Sequence, residues 1–362
     1  MSWAISLGRV AGIEVRLHVT FLILLAWIAI GHFLAGGLRA ALLGLTLIAA
    51  VFGSVLLHEF GHALAARRFG VRTPDITLLP IGGVARLERL PDKPRQELLV
   101  ALAGPAVNIG IAALLFLILT ALRGGWPAPA GFMRGALLDR ILWVNLWLAV
   151  FNFIPAFPMD GGRVLRAVLA ERLGFARATQ LAASVGQAFA FVFATFGFFF
   201  NPLLIFIALF VYLGASGELS AAQIKEFAQR VPVQQAMVTR FDTLHRNALL
   251  EHAIAAFMQG SQKEFPIIDD AGRVVGMLCR EDMIRALSQH GKDVPVTAVM
   301  QSRFPAAFTG EMLSGAFERM VTGGHAAIPV IDAEGNLVGL LTRENVAELM
   351  VLHDALAKAP PS

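Results

Sequence analysis

The stretch LLHEFGHALAARR, residues 56–68, closes one of the most apolar runs of the chain. Two histidines and a glutamate are expensive there. An ionisable side chain at the centre of a spanning helix costs roughly 2.5–3.5 kcal/mol on insertion scales, and such residues mark functional cavities. The run that carries them, about 40–64, has the roughly 20 apolar residues that a spanning helix needs. Working outward, five further runs of that kind lie at about 18–36, 97–121, 138–156, 180–200 and 202–217. The last two are separated by Asn201-Pro202, a turn signal. The sequence therefore predicts a multi-pass α-helical membrane protein with six transmembrane helices.

Composition agrees. The 362 residues are 56% hydrophobic and 15% charged, against about 45–50% and about 25% in soluble domains. The net charge of +4 is modest, and no basic patch interleaved with aromatics points to nucleic acid. Cys279 is the one cysteine, so an intrachain disulfide is excluded, which suits a reducing compartment. The first 18 residues lack a cleavable-signal pattern, so the first apolar segment is expected to stay as an anchor.

Positive charge orients the helices. Arg67, Arg68, Arg72, Arg86, Arg89, Lys93 and Arg95 follow the second helix, Arg163, Arg166, Arg172 and Arg177 follow the fourth, and Arg9 and Arg16 precede the first. The other side carries only Arg39, Arg123, Arg134 and Arg140. Six alternating helices put all the richer segments on one side, so both termini are expected in the cytoplasm. With no eukaryotic targeting sequence in view, a prokaryotic inner membrane is expected.

From about residue 218 charged residues become frequent, and an internal repeat appears. FPIIDDAGRVVGMLCREDM (265–283) matches IPVIDAEGNLVGLLTRENV (328–346) at an offset of 63, and the same offset aligns Ala236-Met237 with Val299-Met300. Each copy reads helix, strand, glycine-containing turn, strand, helix, which predicts one α/β module from two tandem units. The expected division is a transmembrane domain at 1–217, a linker at 218–232, and repeats at 233–291 and 292–356.

HEFGH fits the pattern HExxH. On a helix His58 and His62 are one turn apart on one face, where two imidazoles can reach one zinc ion. Glu59 beside them can act as general base toward a zinc-activated water. A pair of helix-face histidines near an interface would look the same locally. A zinc site also needs a third protein ligand and an open position. The best candidate is Asp160 in NFIPAFPMDGGR, 152–163. Pro155 and Pro158 stop the helix near the membrane, and irregular backbone at that depth belongs where it lines a cavity or is buried in protein. Gly161 and Gly162 permit close backbone approach. Taken alone, this is also how an ordinary helix-ending turn reads.

HEFGH on the second helix, followed about 100 residues later by Asn152-x-x-Pro155-x-x-Pro158-x-Asp160-Gly161-Gly162, closely resembles the site-2 protease family of intramembrane zinc metalloproteases. Six helices with a C-terminal repeat resemble its CBS-containing branch. The resemblance spans essentially the whole chain. It implies one zinc per chain held by His58, His62 and Asp160, and Glu59 as catalytic base. It implies a transmembrane protein substrate, cut in or near its spanning segment within the bilayer. Met159 stands where many members have leucine, a volume-conserving change.

Other residues can be placed around such a site. AGPAVN (103–108) opens the third helix with small residues that permit close packing. Asn108 there is read as inward-facing, either packing helices or meeting substrate. Asn152 could bind the substrate backbone or hold a loop, and the resemblance suggests a substrate or transition-state role. His18 opens the first helix and is left outside the metal set. ITLLPIGGVARLERL (76–90) is β-leaning on both flanks of Gly82-Gly83. A membrane-embedded hairpin or loop is expected there, and its exposed edge strand would hold an unwound substrate by strand addition.

The C-terminal repeat resembles a tandem CBS pair, with departures. Cys279 stands where Ser or Thr is usual although Asp282 is kept, and Asn345 stands where aspartate is usual although Thr342 is kept. In that family the hydroxyl residue meets phosphate and the aspartate meets ribose. Adenine nucleotide is therefore the implied ligand, with Asp282, Thr342 and Asn345 as its candidate contacts. A structural or dimerising module, giving a homodimer, is the other reading. Two other functions compete with the protease: a CBS-regulated metal transporter or channel, and an inactive scaffold. A transporter needs a weak, exchanging site, whereas HExxH plus aspartate makes a fixed one, and a scaffold has no use for Glu59.

Overall fold

The computed structural model describes residues 3–88, 93–123 and 135–358, and the chain divides into two compact units, Met1–Ser220 and Ala221–Ser362. Arg89 and Arg134, weighed above for orientation, lie outside the described residues, as does the end of the expected hairpin at 89–90.

The first unit opens with two strands that the sequence reading did not anticipate, β1 (Ala4–Val10) and β2 (Ile13–His18), paired antiparallel. His18 ends β2 and caps the next helix, its Nδ1 accepting the Thr20 amide at 3.3 Å. Helix α1 (Val19–Arg68) is a 50-residue run broken at Gly36 and Gly37. Gly37 takes φ +71°, where a side chain is strained and glycine is not. The two arms pack on each other, with the Phe21 and Phe52 rings 4.4 Å apart between centroids. The expected helices at 18–36 and 40–64 are these arms.

Strands β3 (Asp75–Leu79) and β4 (Gly82–Arg86) form the expected hairpin. It turns at Pro80-Ile81, so Gly82 and Gly83 open the second strand rather than interrupt the pair. The sheet order is β1-β2-β3-β4, with β2 and β3 parallel, so β4 is an edge. Alternation sorts its faces: Ile13, Leu17, Ile76 and Leu78 pack on α1, while Glu14, Arg16, Asp75 and Arg86 face away and pair with one another.

Helices α2 (Pro94–Arg123) and α3 (Leu137–Asn152) follow. Arg123 grips the buried Asp139 with two hydrogen bonds of 2.6 and 2.8 Å, tying the end of one to the start of the other. Helix α3 ends three residues before Pro155, as the restriction on backbone ahead of proline requires. Helix α4 (Asp160–Leu173) was not foreseen. Its boundaries are nonetheless written in the sequence, with Asp160 in the first turn, Arg172 in the last and Gly174 beyond it at φ +79°. Helices α5 (Phe175–Phe199) and α6 (Leu203–Arg230) complete the unit, α6 running on into the second. Among the described residues four helices, α1, α2, α5 and α6, are long and apolar enough to cross a membrane.

The second unit contains α7 (Val233–Ala236), β5 (Leu244–His245), α8 (Leu250–Gln259), β6 (Glu264–Ile268), β7 (Val274–Cys279) and α9 (Arg280–His290). The pattern then repeats as α10 (Val296–Val299), β8 (Ala307–Phe308), α11 (Leu313–Thr322), β9 (Ala327–Ile331), β10 (Leu337–Thr342) and α12 (Arg343–Lys358). Each half has a three-stranded sheet. The halves exchange their leading segments. Val233 and Ala236 belong to the core built on Ile328, Val330 and Leu341, whereas Val296 belongs to the core built on Phe265, Ile267 and Leu278. Backbone bridges seal the exchange, Val238 with Leu340 and Met277 with Gln301.

Candidate metal centre

Two elements bring the donors together. Helix periodicity sets His58 and His62 one turn apart on the second arm of α1, and the first residue of α4 delivers Asp160. His58 Nε2 and His62 Nε2 are 3.0 Å apart, and each lies 3.1 Å from Asp160 Oδ2. All three residues are buried, and among the described residues they are the one group of three such side chains placed to hold an ion.

This donor set fits zinc. Ligand atoms at about 2.0–2.1 Å around a tetrahedral ion sit about 3.3 Å apart, close to the spacing found. Two imidazoles and a carboxylate are a ligand set of catalytic zinc sites, which leave a fourth position open. His62 Nδ1 donates to the Val100 carbonyl at 2.7 Å, which fixes the tautomer whose Nε2 lone pair faces the cluster.

Glycines make the approach possible. A Cβ on Gly104 would fall 2.6 Å from His58 Nε2 and against His62 Nε2, so α2 must be bare at that point. A Cβ on Gly61 would fall 2.8 Å from the Ala103 carbonyl oxygen, at the same α1–α2 seam. Gly161 and Gly162 have no room for a side chain either, being packed against backbone at 153–157. That contact seats the first turn of α4 and with it Asp160.

Glu59 lies beside the donors on the same turn of α1. Edge strand β4 passes over it so closely that a Cβ on Gly83 would fall 2.6 Å from Glu59 Cγ. The hairpin and the expected base are thus neighbours, and Gly83 is where they touch. Asn152 ends α3, half-buried. Asn108 lies on the Gly104 face of α2, one turn further along, 1% exposed, with neither amide atom hydrogen-bonded within the described protein.

Behind the donors is a buried charge cluster that no local pattern announces. Arg166, 1% exposed, donates from Nε to Glu97 on α2 at 2.7 Å and from Nη1 to Glu218 on α6 at 3.0 Å. Its guanidinium also lies over the rings of Phe157 and Phe175, at 4.9 and 5.0 Å. Glu218 pairs in addition with Arg163 at 3.7 Å. Arg166 was counted above among the surface cations that orient the helices. It is instead a bolt joining three helices. Its partners are 69 and 52 positions away, so sequence periodicity could not reveal it.

In the second unit the three expected nucleotide contacts do not meet. Thr342 and Asn345 line a cavity of about 840 Å³ with Val238, Phe241, Lys263 and Glu264. Thr342 Oγ1 donates to Asn345 Oδ1 at 2.6 Å. Asp282 lies outside that lining, in the equivalent place of the other half. There Gln301 Nε2 donates to it at 2.7 Å, and Gln301 Oε1 pairs with His325 Nδ1 at 3.2 Å. The exchanged packing builds each place from both halves, Val238, Phe241, Lys263 and Glu264 with Thr342 and Asn345 in one, and Asp282 with Gln301 and His325 in the other. Cys279, the counterpart of Thr342, is buried. Burial, reinforced by Asp282, pushes its thiol up to about 12, so it sits there as an inert thiol.

Comparison with known proteins follows this division. Residues 46–134 and 132–193 match Peptidase family M50, and residues 233–289 and 296–352 match the CBS domain. A zinc metalloprotease of Methanocaldococcus jannaschii is 32% identical over 282 residues, covering 77% of this chain and 78% of that one. Rip3 of Mycobacterium tuberculosis is 29% identical over 384 residues, 99% of this chain and 95% of that one. The solved site-2 protease from Methanocaldococcus jannaschii is 38% identical and covers 60% of this chain and 95% of its own, with a TM-score of 0.45.

Proposed function

The chain belongs to peptidase family M50 and is a zinc-dependent intramembrane endopeptidase, a multi-pass helical membrane protein with a CBS module; from that premise we propose that His58, His62 and Asp160 are its zinc ligands and Glu59 its general base. The observation that carries this assignment is the convergence of three buried donor atoms within 3.0–3.1 Å of one another. When bound, zinc supplies a Lewis acid and lowers the pKa of a water molecule.

The chain's own residues do the rest. Glu59 takes the proton of the attacking water and later gives it to the leaving amine, work worth typically 10²–10⁴-fold in rate. Asn152 is the candidate donor to the oxygen that becomes negative in the transition state. A substrate helix hides its amides in its own hydrogen bonds and must unwind to be cut. Edge strand β4 offers the unwound stretch a backbone partner, and Gly82 and Gly83 let it lie close to Glu59. The substrate is accordingly a transmembrane protein segment in the bilayer.

Six spans are the arrangement that the helices favour. At 1.5 Å per residue a 50-residue run is about 75 Å long, more than twice the roughly 30 Å hydrocarbon core. Folded at Gly36-Gly37, α1 supplies two spans, and α3, with 16 residues, supplies a short one. Alternation then puts the arginine-rich segments, both termini and the CBS module in the cytoplasm, and the relatives named above are prokaryotic. The domain limits proposed remain 1–217, 218–232, 233–291 and 292–356.

Removing the metal tests the assignment. A chelator such as 1,10-phenanthroline is expected to abolish cleavage of a single-span substrate in liposomes, and added zinc to restore it. Cleavage that persists in protein stripped below 0.1 zinc per chain, roughly a tenth of one three-ligand site, contradicts it.

For the CBS module the proposed ligand is an adenine nucleotide in the Thr342–Asn345 cavity, one per chain, with Asp282 outside it. Its binding would bias the protease only as far as it prefers one conformation over another. A homodimer through this module is the alternative reading. Calorimetry with adenine nucleotides is expected to give one site, lost in Thr342→Val and kept in Asp282→Asn. Loss in the aspartate variant alone would move the site to the other half.

A further inference from the structure

Beyond the metal ligands, four buried polar atoms on one side of His58 have no partner within the described protein: His58 Nδ1, both amide atoms of Asn108, and Asn145 Oδ1. Buried groups of this kind normally pair, and here their places in the fold are linked. Helices α1 and α2 run antiparallel, since His62 meets Val100, Gly61 meets Ala103 and Val107, and His58 meets Gly104. That register sets Asn108 level with the turn from Ser54 to His58. The Cα–Cβ bond of a helical residue tilts toward the N-terminus, so the Asn108 side chain leans back toward Gly104 and His58. On the same turn of α1, Ser54 Oγ accepts from Asn145 Nδ2 at 3.0 Å and donates to the Ala50 carbonyl at 3.1 Å.

Hydrogen-bond capacities decide how these atoms combine. Once His58 Nε2 is a ligand, its Nδ1 carries the proton and needs an acceptor. Asn108 Oδ1 can accept it, Asn108 Nδ2 can donate to Asn145 Oδ1, and Asn145 Nδ2 already donates to Ser54. One relay, from His58 through Asn108, Asn145 and Ser54 to the Ala50 carbonyl, uses all four atoms with every donor facing an acceptor.

We propose that Asn108 is a positioning residue for His58, holding its ring through Nδ1 directly or across one water, with Asn145 and Ser54 orienting the Asn108 amide. This rests on His58 being a zinc ligand, and it gives Asn108 a role other than contact with substrate. His62 has its equivalent in the Val100 carbonyl. The relay is the matching support for the second histidine.

The test uses the full-length protein in detergent. Zinc affinity is measured by competition with a chromophoric chelator, and ligand geometry from the visible absorption of the cobalt-loaded protein. Asn108→Leu is expected to weaken zinc binding about 10–100-fold, the range found when such outer partners are removed, and to shift the cobalt spectrum. Asn108→Asp, which keeps the acceptor, is expected to bind zinc close to wild type. Asn145→Leu, which alters neither a ligand nor Asn108, is expected to weaken zinc in the same direction. The double leucine variant should be no weaker than Asn108→Leu alone, since the two act in one chain. Wild-type affinity in Asn108→Leu, equal losses in the aspartate and leucine variants, or full additivity in the double variant overturns the proposal. Should Asn108→Leu fail to fold, Asn145→Leu against Asn108→Asp carries the same decision. A wild-type protein that takes up no zinc fails the metal reading itself, a result distinct from all of these.

Discussion

Replacing Glu59 by glutamine is expected to leave about one zinc per chain in place and to lower cleavage by at least about 10²-fold. The two effects separate because of where the side chain sits. His58, His62 and Asp160 converge without it, so the donor set survives the change. The amide matches the carboxylate in size, so the contact with Gly83 survives as well. What is lost is the capacity to accept a proton from water. The check is metal analysis beside cleavage of a single-span substrate in liposomes. A variant that keeps both zinc and cleavage would remove Glu59 from the mechanism. One that loses zinc together with cleavage would make it part of the metal site.

The second large effect is on stability. Arg166→Met is expected to destabilise the first unit by about 3–5 kcal/mol, the cost of removing one member of a buried ion pair and stranding the others. Glu97 would lose its buried partner and Glu218 would be left with Arg163 at 3.7 Å, and α2, α4 and α6 would lose the group that joins them. Methionine fills most of the volume, so packing contributes little to the loss. The penalty is electrostatic, and changing Glu97 and Glu218 to glutamine in the same chain should recover most of it. Thermal unfolding in detergent measures both. An Arg166→Met protein that melts with wild type would mean that the cluster is not buried in solution.

The sequence carried the donor set because each part of it has a local mark. HEFGH places His58 and His62 on one helix face by periodicity, with Glu59 beside them, and Pro155, Pro158, Gly161 and Gly162 mark the broken backbone that presents Asp160. The hairpin at 76–86 was legible from its β-branched flanks and glycines, and the CBS repeat from its offset of 63. Strands β1 and β2 were not legible, because β1 pairs only with β2, and β2 is tied to the sheet by β3 across a 50-residue helical run. Arg166 was misread because a buried and a headgroup arginine are the same letter, and only its distant partners tell them apart. Alignment of the repeats places Asp282 in one copy and Thr342 and Asn345 in the other, but it does not show that the halves trade leading segments, so that Val238 and Phe241 of the first copy line the cavity of Thr342 and Asn345.

That trade has a consequence for how the second unit can be taken apart. Met237 packs on Gly339 of the later half, and Met300 on Gly276 of the earlier one, each so tightly that a Cβ on the glycine would collide with the methionine. The border of each half in space is therefore not its border along the chain. A fragment ending near residue 291 would carry Met237 without its glycine and Gly276 without its methionine, so it is half of two folds and the whole of neither. The same interlock would hold a nicked chain together: a cut in the connection between α9 and α10 leaves each piece still clasping the other. A gene cut at the midpoint of the repeat gives two incomplete cores, so the duplication behaves in folding as one indivisible body.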